Sequence, residues 1–416
     1  MSMKKTSDFI VVGGGIWGLS TAYHLMNRGA GSVRILERNS DIASETTPQA
    51  AGLVGQIRSS PTMSNAIRYA LDLFEHFGDR TGQDTGLRRP GSLMVALTPE
   101  RMEAYQKLLD FASKTGIDAS IVAAKEMKQL CPDMDEKSVE GGLFVNGDGY
   151  VDARQCSTAY ATAARNNGAV IDCNVAVTGF DIRNGKVRGV ITKDGTYTAD
   201  QVIVTCGPWT AKISELAGVK LAMQTIRHQR VRTEAVLDIP DDHPVVRVTD
   251  VSCYMRPDQD GYLYGFFEPE PHKINLDKLG LGFRTDSIAP PHETIKEATK
   301  RLAPVFPVLK NLEIEEYRQG ITSFAPDGKY LIGPVPNIEG LFVASGCAAI
   351  GIAGSAAIGL WLAEWVTEGQ TSDNVEEFGL ERFGSHTEDK MWVEQESMGC
   401  YANYYSVQSM GSDKEK

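Results

Sequence analysis

The sequence predicts an α/β protein, α+β overall, in which a lobe built on a βαβ dinucleotide motif is interleaved with an antiparallel-sheet lobe. Three observations carry this. The apolar run Ile10-Val11-Val12 opens into a turn where Gly13, Gly15 and Gly18 keep the G-x-G-x-x-G spacing. Glu37 ends the next apolar stretch, about 20 residues beyond the last glycine, where a dinucleotide site places its ribose-binding acid. Residues 224–282 alternate apolar and polar side chains, the period of an antiparallel sheet with one covered face.

The first lobe is thus of Rossmann type. Its glycine turn, with Ile16 and Trp17, lets backbone N–H groups approach a pyrophosphate, and the helix it starts, Thr21 to Arg28, adds a partial positive charge. A carboxylate at Glu37, followed by Arg38, binds ribose hydroxyls and disfavours a 2′-phosphate. Residues 64–130 read mainly as helices, with a short strand at 91–97. Asp152 reads as the cap of a helix starting near Arg154. Val187 to Thr198 reads as a hairpin turning at Asp194-Gly195, and Gln201 to Val204 as a buried strand that leads into Cys206-Gly207-Pro208-Trp209.

Leu341 to Ala363 carries no charged residue and is long enough to cross a bilayer. Its glycines (346, 351, 354, 359) and alanines point instead to a buried strand followed by a tightly packed helix. The predicted lobes are 1–60, 141–223 and 312–380 for the nucleotide, 61–140 and 224–311 for the sheet, and 381–416 as a C-terminal tail. A substrate cavity is expected where the lobes meet.

The formal net charge of −12 excludes nucleic acid or an anionic membrane surface as a main partner. The seven cysteines are odd in number and contain no C-x-x-C pair. They read as free thiols in a reducing compartment; with no export signal visible, the expected location is cytoplasmic. No residue spacing suggests a metal site.

Four stretches spread along the chain resemble a known family. They are Gly13-Gly14-Gly15-Ile16-Trp17-Gly18 with Glu37; Gln49-Ala50-Ala51-Gly52-Leu53; Thr205-Cys206-Gly207-Pro208-Trp209; and Pro326 to Pro334 with Val343-Ala344-Ser345-Gly346. Together they look like the flavin-dependent amine and amino-acid oxidoreductases that include D-amino-acid oxidase, sarcosine oxidase and dimethylglycine dehydrogenase. Arg227-His228-Gln229, Tyr254-Met255-Arg256, Gly265 to Pro269 and Tyr401 to Tyr405 are most similar to the dimethylglycine and sarcosine dehydrogenase branch.

The resemblance implies FAD. Its expected contacts are the glycine turn, Glu37 and Arg38; Gln49, Ala50, Ala51, Gly52 and Leu53; Val175; and Cys206, Gly207 and Trp209. Gly346, Ala349, Ile350, Gly351 and Ile352 complete them, where small residues bring a second helix N-terminus to the flavin. Several relatives attach FAD through a histidine at the position of Gln49, others through a cysteine near Gly320 to Ser323; neither residue is present there, so non-covalent FAD is expected.

The implied reaction is hydride transfer from a C–H beside an amine nitrogen, followed by imine hydrolysis. It needs an unprotonated amine. The expected catalytic residues are His228, which titrates near neutrality, with Tyr254 and Tyr264; Tyr262 is a further hydrogen-bonding candidate. Arg58 or Arg256 would pair with a substrate carboxylate. For each of these a structural role is the competing reading. Leu263 stands where oxidase-type relatives carry the lysine that helps oxygen react, which points to a dehydrogenase passing electrons to an electron-transfer protein or quinone, with oxygen the other acceptor. Ile350 stands near a carboxylate-binding lysine of sarcosine oxidase, which makes the amino-acid substrate class less secure than the amine chemistry. The expected substrate is a secondary or tertiary amine such as an N-methylated amino acid. Oxidative deamination of a D-amino acid or cyclic amino acid is the alternative, and a non-catalytic flavoprotein assembly factor the reading from another class.

Overall fold

The computed structural model describes residues 5–279 and 282–406. A six-stranded sheet carries the order Leu331–Pro334, Leu341–Ser345, Gln201–Val204, Phe9–Val12, Val33–Leu36, Val170–Asp172. All neighbours pair parallel except the edge strand Leu331–Pro334. Both faces are covered, so its strands are mainly apolar rather than alternating, with Arg34 ion-paired to Asp172 on the neighbouring edge strand. Val11, Ile35 and Ile203 face the helices Ile16–Asn27 and Gly351–Glu368, while Ile10, Leu36 and Val202 face a three-stranded antiparallel sheet, Val177–Arg183, Lys186–Thr192 and Gly195–Thr198. Each such fully buried Val or Ile contributes roughly 1.5–3 kcal/mol.

The second lobe is an eight-stranded sheet. Its order is Ile314–Phe324, Gln224–Thr233, Gly261–Phe266, Cys253–Asp258, Val245–Val248, Ser92–Ala96, Gly141–Val145, Ala119–Val122. Pairing is antiparallel apart from Val245–Val248 beside Ser92–Ala96. Tyr262, Tyr264 and Phe266 point to one face, against the helix His292–Leu302; Leu263 points to the other.

The two-lobe plan matches the sequence reading, but its boundaries move. The helix Pro61–Glu75 packs into the core of the nucleotide lobe, whereas 61–140 was expected in the sheet lobe. Gly141–Val145 and Ile314–Phe324, expected in the nucleotide lobe, are strands of the eight-stranded sheet. Residues 381–406 are no loose tail: the helix Lys390–Ala402 packs on strands Gln224–Thr233 and Ile314–Phe324. Residues 407–416 of that expected tail lie outside the described residues.

Local expectations hold at several points. Asp152 Oδ1 accepts from the Gln155 N–H at 2.6 Å, capping the helix Ala153–Asn166. Lys186–Thr192 and Gly195–Thr198 form the predicted hairpin. Leu341–Ser345 is a buried strand and Gly351–Glu368 a buried helix; among the described residues no helix is long and apolar enough to cross a membrane. The seven cysteines form no disulfide.

Candidate active site

The glycine turn is shaped by what lies behind it. Gly13 has φ +108°, and a Cβ there would sit 2.7 Å from the Thr205 carbonyl oxygen, so strands Phe9–Val12 and Gln201–Val204 close on it. At Gly18 a Cβ would collide with the Gly13 carbonyl; its task is close packing of helix on strand, and it does not line the cavity. The Ile16 N–H, in the first turn of the helix, donates to Thr47 Oγ1 at 3.3 Å.

Glu37 is held in place by its own neighbours. Oε2 accepts from the Gly14 N–H and Oε1 from the Asn39 N–H, each at 2.8 Å. Burial raises its pKa, opposed by these two N–H groups. The Arg38 guanidinium lies 4.2 Å over the Trp209 ring.

From this end a cavity of about 510 Å³ runs between the lobes. Of the sequence-predicted cofactor residues, its walls include Gly13, Gly15, Ile16, Trp17, Glu37, Arg38, the run 49–53, Val175, Cys206, Gly207, Trp209 and 349–352. Gly346 is not among them; it turns the chain at φ +69° beyond strand Leu341–Ser345. The loop before helix Gly351–Glu368 is strained, with Ala348 at φ +45° and Ala349 at φ +57°, conformations costing about 1–2 kcal/mol each. Strand Ile314–Phe324 holds it: Ala348 N–H donates to the Ser323 carbonyl at 2.8 Å and Ala349 N–H to Thr322 Oγ1 at 3.2 Å. Trp17 Nε1–H donates to the Gly351 carbonyl at 2.7 Å, tying the two helix N-termini together.

At the far end His228 and Tyr254 both line the cavity. His228 Nε2 lies 3.0 Å from Tyr254 Oη, and Nδ1 lies 2.9 Å from Tyr401 Oη. The ring sits 4.9 Å from Phe267, which stacks at 4.1 Å on Tyr404. Burial pulls the His228 pKa down to about 4, so it does not titrate near neutrality as the sequence suggested. Burial likewise pushes the Tyr254 phenol upward.

Three expected site residues lie elsewhere. Tyr264 points to the opposite face of its strand, where its hydroxyl meets Thr299 Oγ1 at 2.7 Å; Tyr262, on the same face, donates to Asp133. Arg256 is already engaged: Nε donates to the Ala51 carbonyl, Nη1 to the Pro257 carbonyl and to Asp258, and the guanidinium lies over Tyr150. It steadies the 49–53 run from behind. Arg58 does line the cavity, and its Nε is buried without a hydrogen-bond partner among the described residues.

Sequence reasoning missed Arg247, Tyr404 and Tyr405, all on the cavity wall. A charged residue inside the apolar run Val245 to Val248 was the signal for Arg247. For the tyrosines it was the aromatic density of Tyr401 to Tyr405.

Comparison with known proteins agrees with this geometry. The chain is 30% identical over 399 residues to the 4-methylaminobutanoate oxidase (formaldehyde-forming) of Paenarthrobacter nicotinovorans, covering 96% of this chain and 48% of that protein. It is 31% identical over 417 residues to the mitochondrial sarcosine dehydrogenase of Mus musculus, covering 97% of this chain and 44% of the relative. The chain therefore spans about half the length of these relatives. Among solved structures, L-proline dehydrogenase from P. horikoshii superposes with a TM-score of 0.82 over 92% of this chain and 98% of its own, at 24% identity, a likeness of fold. The glycine cradle, the anchored carboxylate and the helix N-termini fit a dinucleotide; residues 8–365 match the family described as FAD dependent oxidoreductase, and the chain belongs to that family.

Proposed function

We propose that this protein oxidises the C–N bond of a carboxylate-bearing secondary or tertiary amine, such as an N-methylated amino acid. The observation that carries the reading is one continuous cavity that joins the glycine cradle to the His228–Tyr254 pair and to Arg58. When bound, FAD supplies the two-electron acceptor for a hydride. Gly13, Gly15 and Glu37 would hold its nucleotide end, and the N-terminus of helix Gly351–Glu368 favours negative charge at the other.

The chain's own groups prepare the amine. Burial beside Tyr254, Phe267 and Tyr404 removes hydration from an ammonium and so favours the neutral amine, whose α-carbon can release a hydride. His228 stays neutral, placing no competing cation there; its two ring nitrogens fix the Tyr254 and Tyr401 hydroxyls. The Tyr254 hydroxyl is then the group placed to hydrogen-bond the substrate nitrogen. Arg58, whose Nε has no hydrogen-bond partner among the described residues, takes the carboxylate. The resulting imine hydrolyses in water to an amine and an aldehyde, formaldehyde for an N-methyl group.

FAD is held without a covalent bond in this reading. Gln49 offers no nucleophile, and Cys206 is an inert thiol: it donates to the Val12 carbonyl, and burial pushes its pKa up to about 12. Acid or detergent denaturation should release all yellow colour; colour left on the polypeptide overturns this.

An anaerobic screen of amines tests the main reading. N-methylated amino acids should bleach the bound flavin and release formaldehyde on turnover. Ammonia or a cyclic imine from primary or cyclic amino acids would assign the deaminating alternative, and bleaching by no amine the non-catalytic one. Reoxidation by air, timed against artificial acceptors on the same sample, assigns the electron acceptor.

A further inference from the structure

Two guanidinium groups line the cavity from opposite lobes, and the fold leaves donors of both without a close carboxylate partner among the described residues. Arg58 follows the short strand Leu53–Val54 of the nucleotide lobe. Its side chain makes no hydrogen bond or ion pair with any described residue, and its Nε is buried. Arg247 stands on strand Val245–Val248 of the sheet lobe and is itself buried.

The Arg247 head is steered rather than neutralised at contact distance. Nη1 donates to Ser92 Oγ at 3.1 Å, and the nearest carboxylate oxygen, on Asp148, is 4.0 Å away. That carboxylate is committed elsewhere: Oδ1 accepts from the Gln56 N–H at 2.9 Å and the Gln56 Nε2–H at 3.0 Å, and Oδ2 from the Ser92 hydroxyl at 2.5 Å. Gly55 lies so close to Arg247 Nη2 that any Cβ would collide with it, so the guanidinium occupies space that only a glycine leaves open.

Tyr405 lines the same cavity as both forks, its ring 5.3 Å from Phe267. Burial raises its phenol pKa, and both Arg247 and Arg58 act against that rise, so both are within electrostatic reach of one ring on the cavity wall. A substrate with one carboxylate can form a two-bond pair with only one of these forks and leaves the other facing the cavity without an acceptor, an unsatisfied donor set that disfavours binding.

We propose that Arg247 is a second acid-binding residue and that the preferred substrate is an N-substituted amino dicarboxylate, one carboxylate paired with Arg58 and the other with Arg247. This deepens the amine-oxidising reading above and rests on it.

The test uses the FAD-loaded protein under anaerobic conditions, with flavin reduction followed for N-methylaspartate and N-methylglutamate against N-methylalanine. The dicarboxylates should give the higher ratio of limiting rate to half-saturation concentration, by about tenfold or more. Arg247→Met should bring that ratio down to about one. A ratio near one in the parent protein, or a preference retained in Arg247→Met, overturns the proposal. If Arg247→Met does not fold, Arg247→Lys, which keeps charge and loses the fork, should give an intermediate ratio; an unchanged one overturns it.

A second readout is free of turnover. Succinate and glutarate should perturb the flavin absorption at lower concentration than acetate and propionate, and Arg247→Met should remove the difference. If no amine bleaches the flavin but succinate still binds through Arg247, the oxidation reading has failed and the second acid site stands. Equal binding of all four acids removes the site.

Discussion

Burial changes what His228 can do. An imidazole held near pKa 4 keeps one charge state across the neutral range, so it cannot set a pH limb there. The proton that must leave before hydride transfer is then the substrate's own ammonium proton. The acid limb of kcat/KM should therefore move with the basicity of the amine across a substrate series, and His228→Asn should lower kcat without shifting that limb. A limb fixed near pH 6.5 for every amine, and lost in His228→Asn, would return the role to the imidazole. At this scale the nucleotide end was legible because close backbone approach forces particular residue types, glycine at 13 above all. The substrate end was less so. Whether Tyr254, Tyr262 or Tyr264 faces the cavity depends on strand parity, and a period of two fixes alternation without saying which face is covered. Tyr264 fell on the wrong side for that reason, and Arg247, alone among valines, gave no face at all.

Two helices decide how rigidly the cofactor cradle is held. Ile16–Asn27 and Gly351–Glu368 cross at Gly359, where any Cβ would strike Ser20. Gly359→Ala must separate them, at about 1–3 kcal/mol, read as a lower urea midpoint. An unchanged midpoint would mean the crossing has slack. The small-residue composition of residues 346–359 announced this contact in the sequence. Helix Lys390–Ala402 gave no such notice, since its buried stripe is only Val393, Ser397 and Tyr401, with a serine at its centre. Strand Ile314–Phe324 was placed in the wrong lobe because its partner, Gln224–Thr233, is distant in sequence and pairing leaves no local mark.

Buried neutral bases couple the whole molecule to pH. His24 Nδ1–H donates to the Ser20 carbonyl at 2.8 Å, so Nε2 of the neutral ring accepts from the Tyr69 hydroxyl at 3.0 Å, and burial lowers the pKa from 6.5 to about 4. Between those values the unfolded chain binds a proton that the folded one refuses. Stability is thus complete above pH 6.5 and falls as pH drops towards 4, by roughly 3 kcal/mol from His24. The urea midpoint should be level above pH 7 and decline below 6.5, less steeply in His24→Gln; a midpoint level down to pH 4.5 would contradict this. The two-lobe plan was legible from the glycine turn and the alternating block, whereas the lobe boundaries were not, since the chain passes between lobes several times. That threading also has a consequence during synthesis. Gly13 is made early, but the wall at 349–352 that closes the same cavity emerges more than three hundred residues later, on the order of tens of seconds at ribosomal speed. Until then the nascent glycine loop has no completed pocket, so the coenzyme's full enclosure waits on the emergence of residues 349–352.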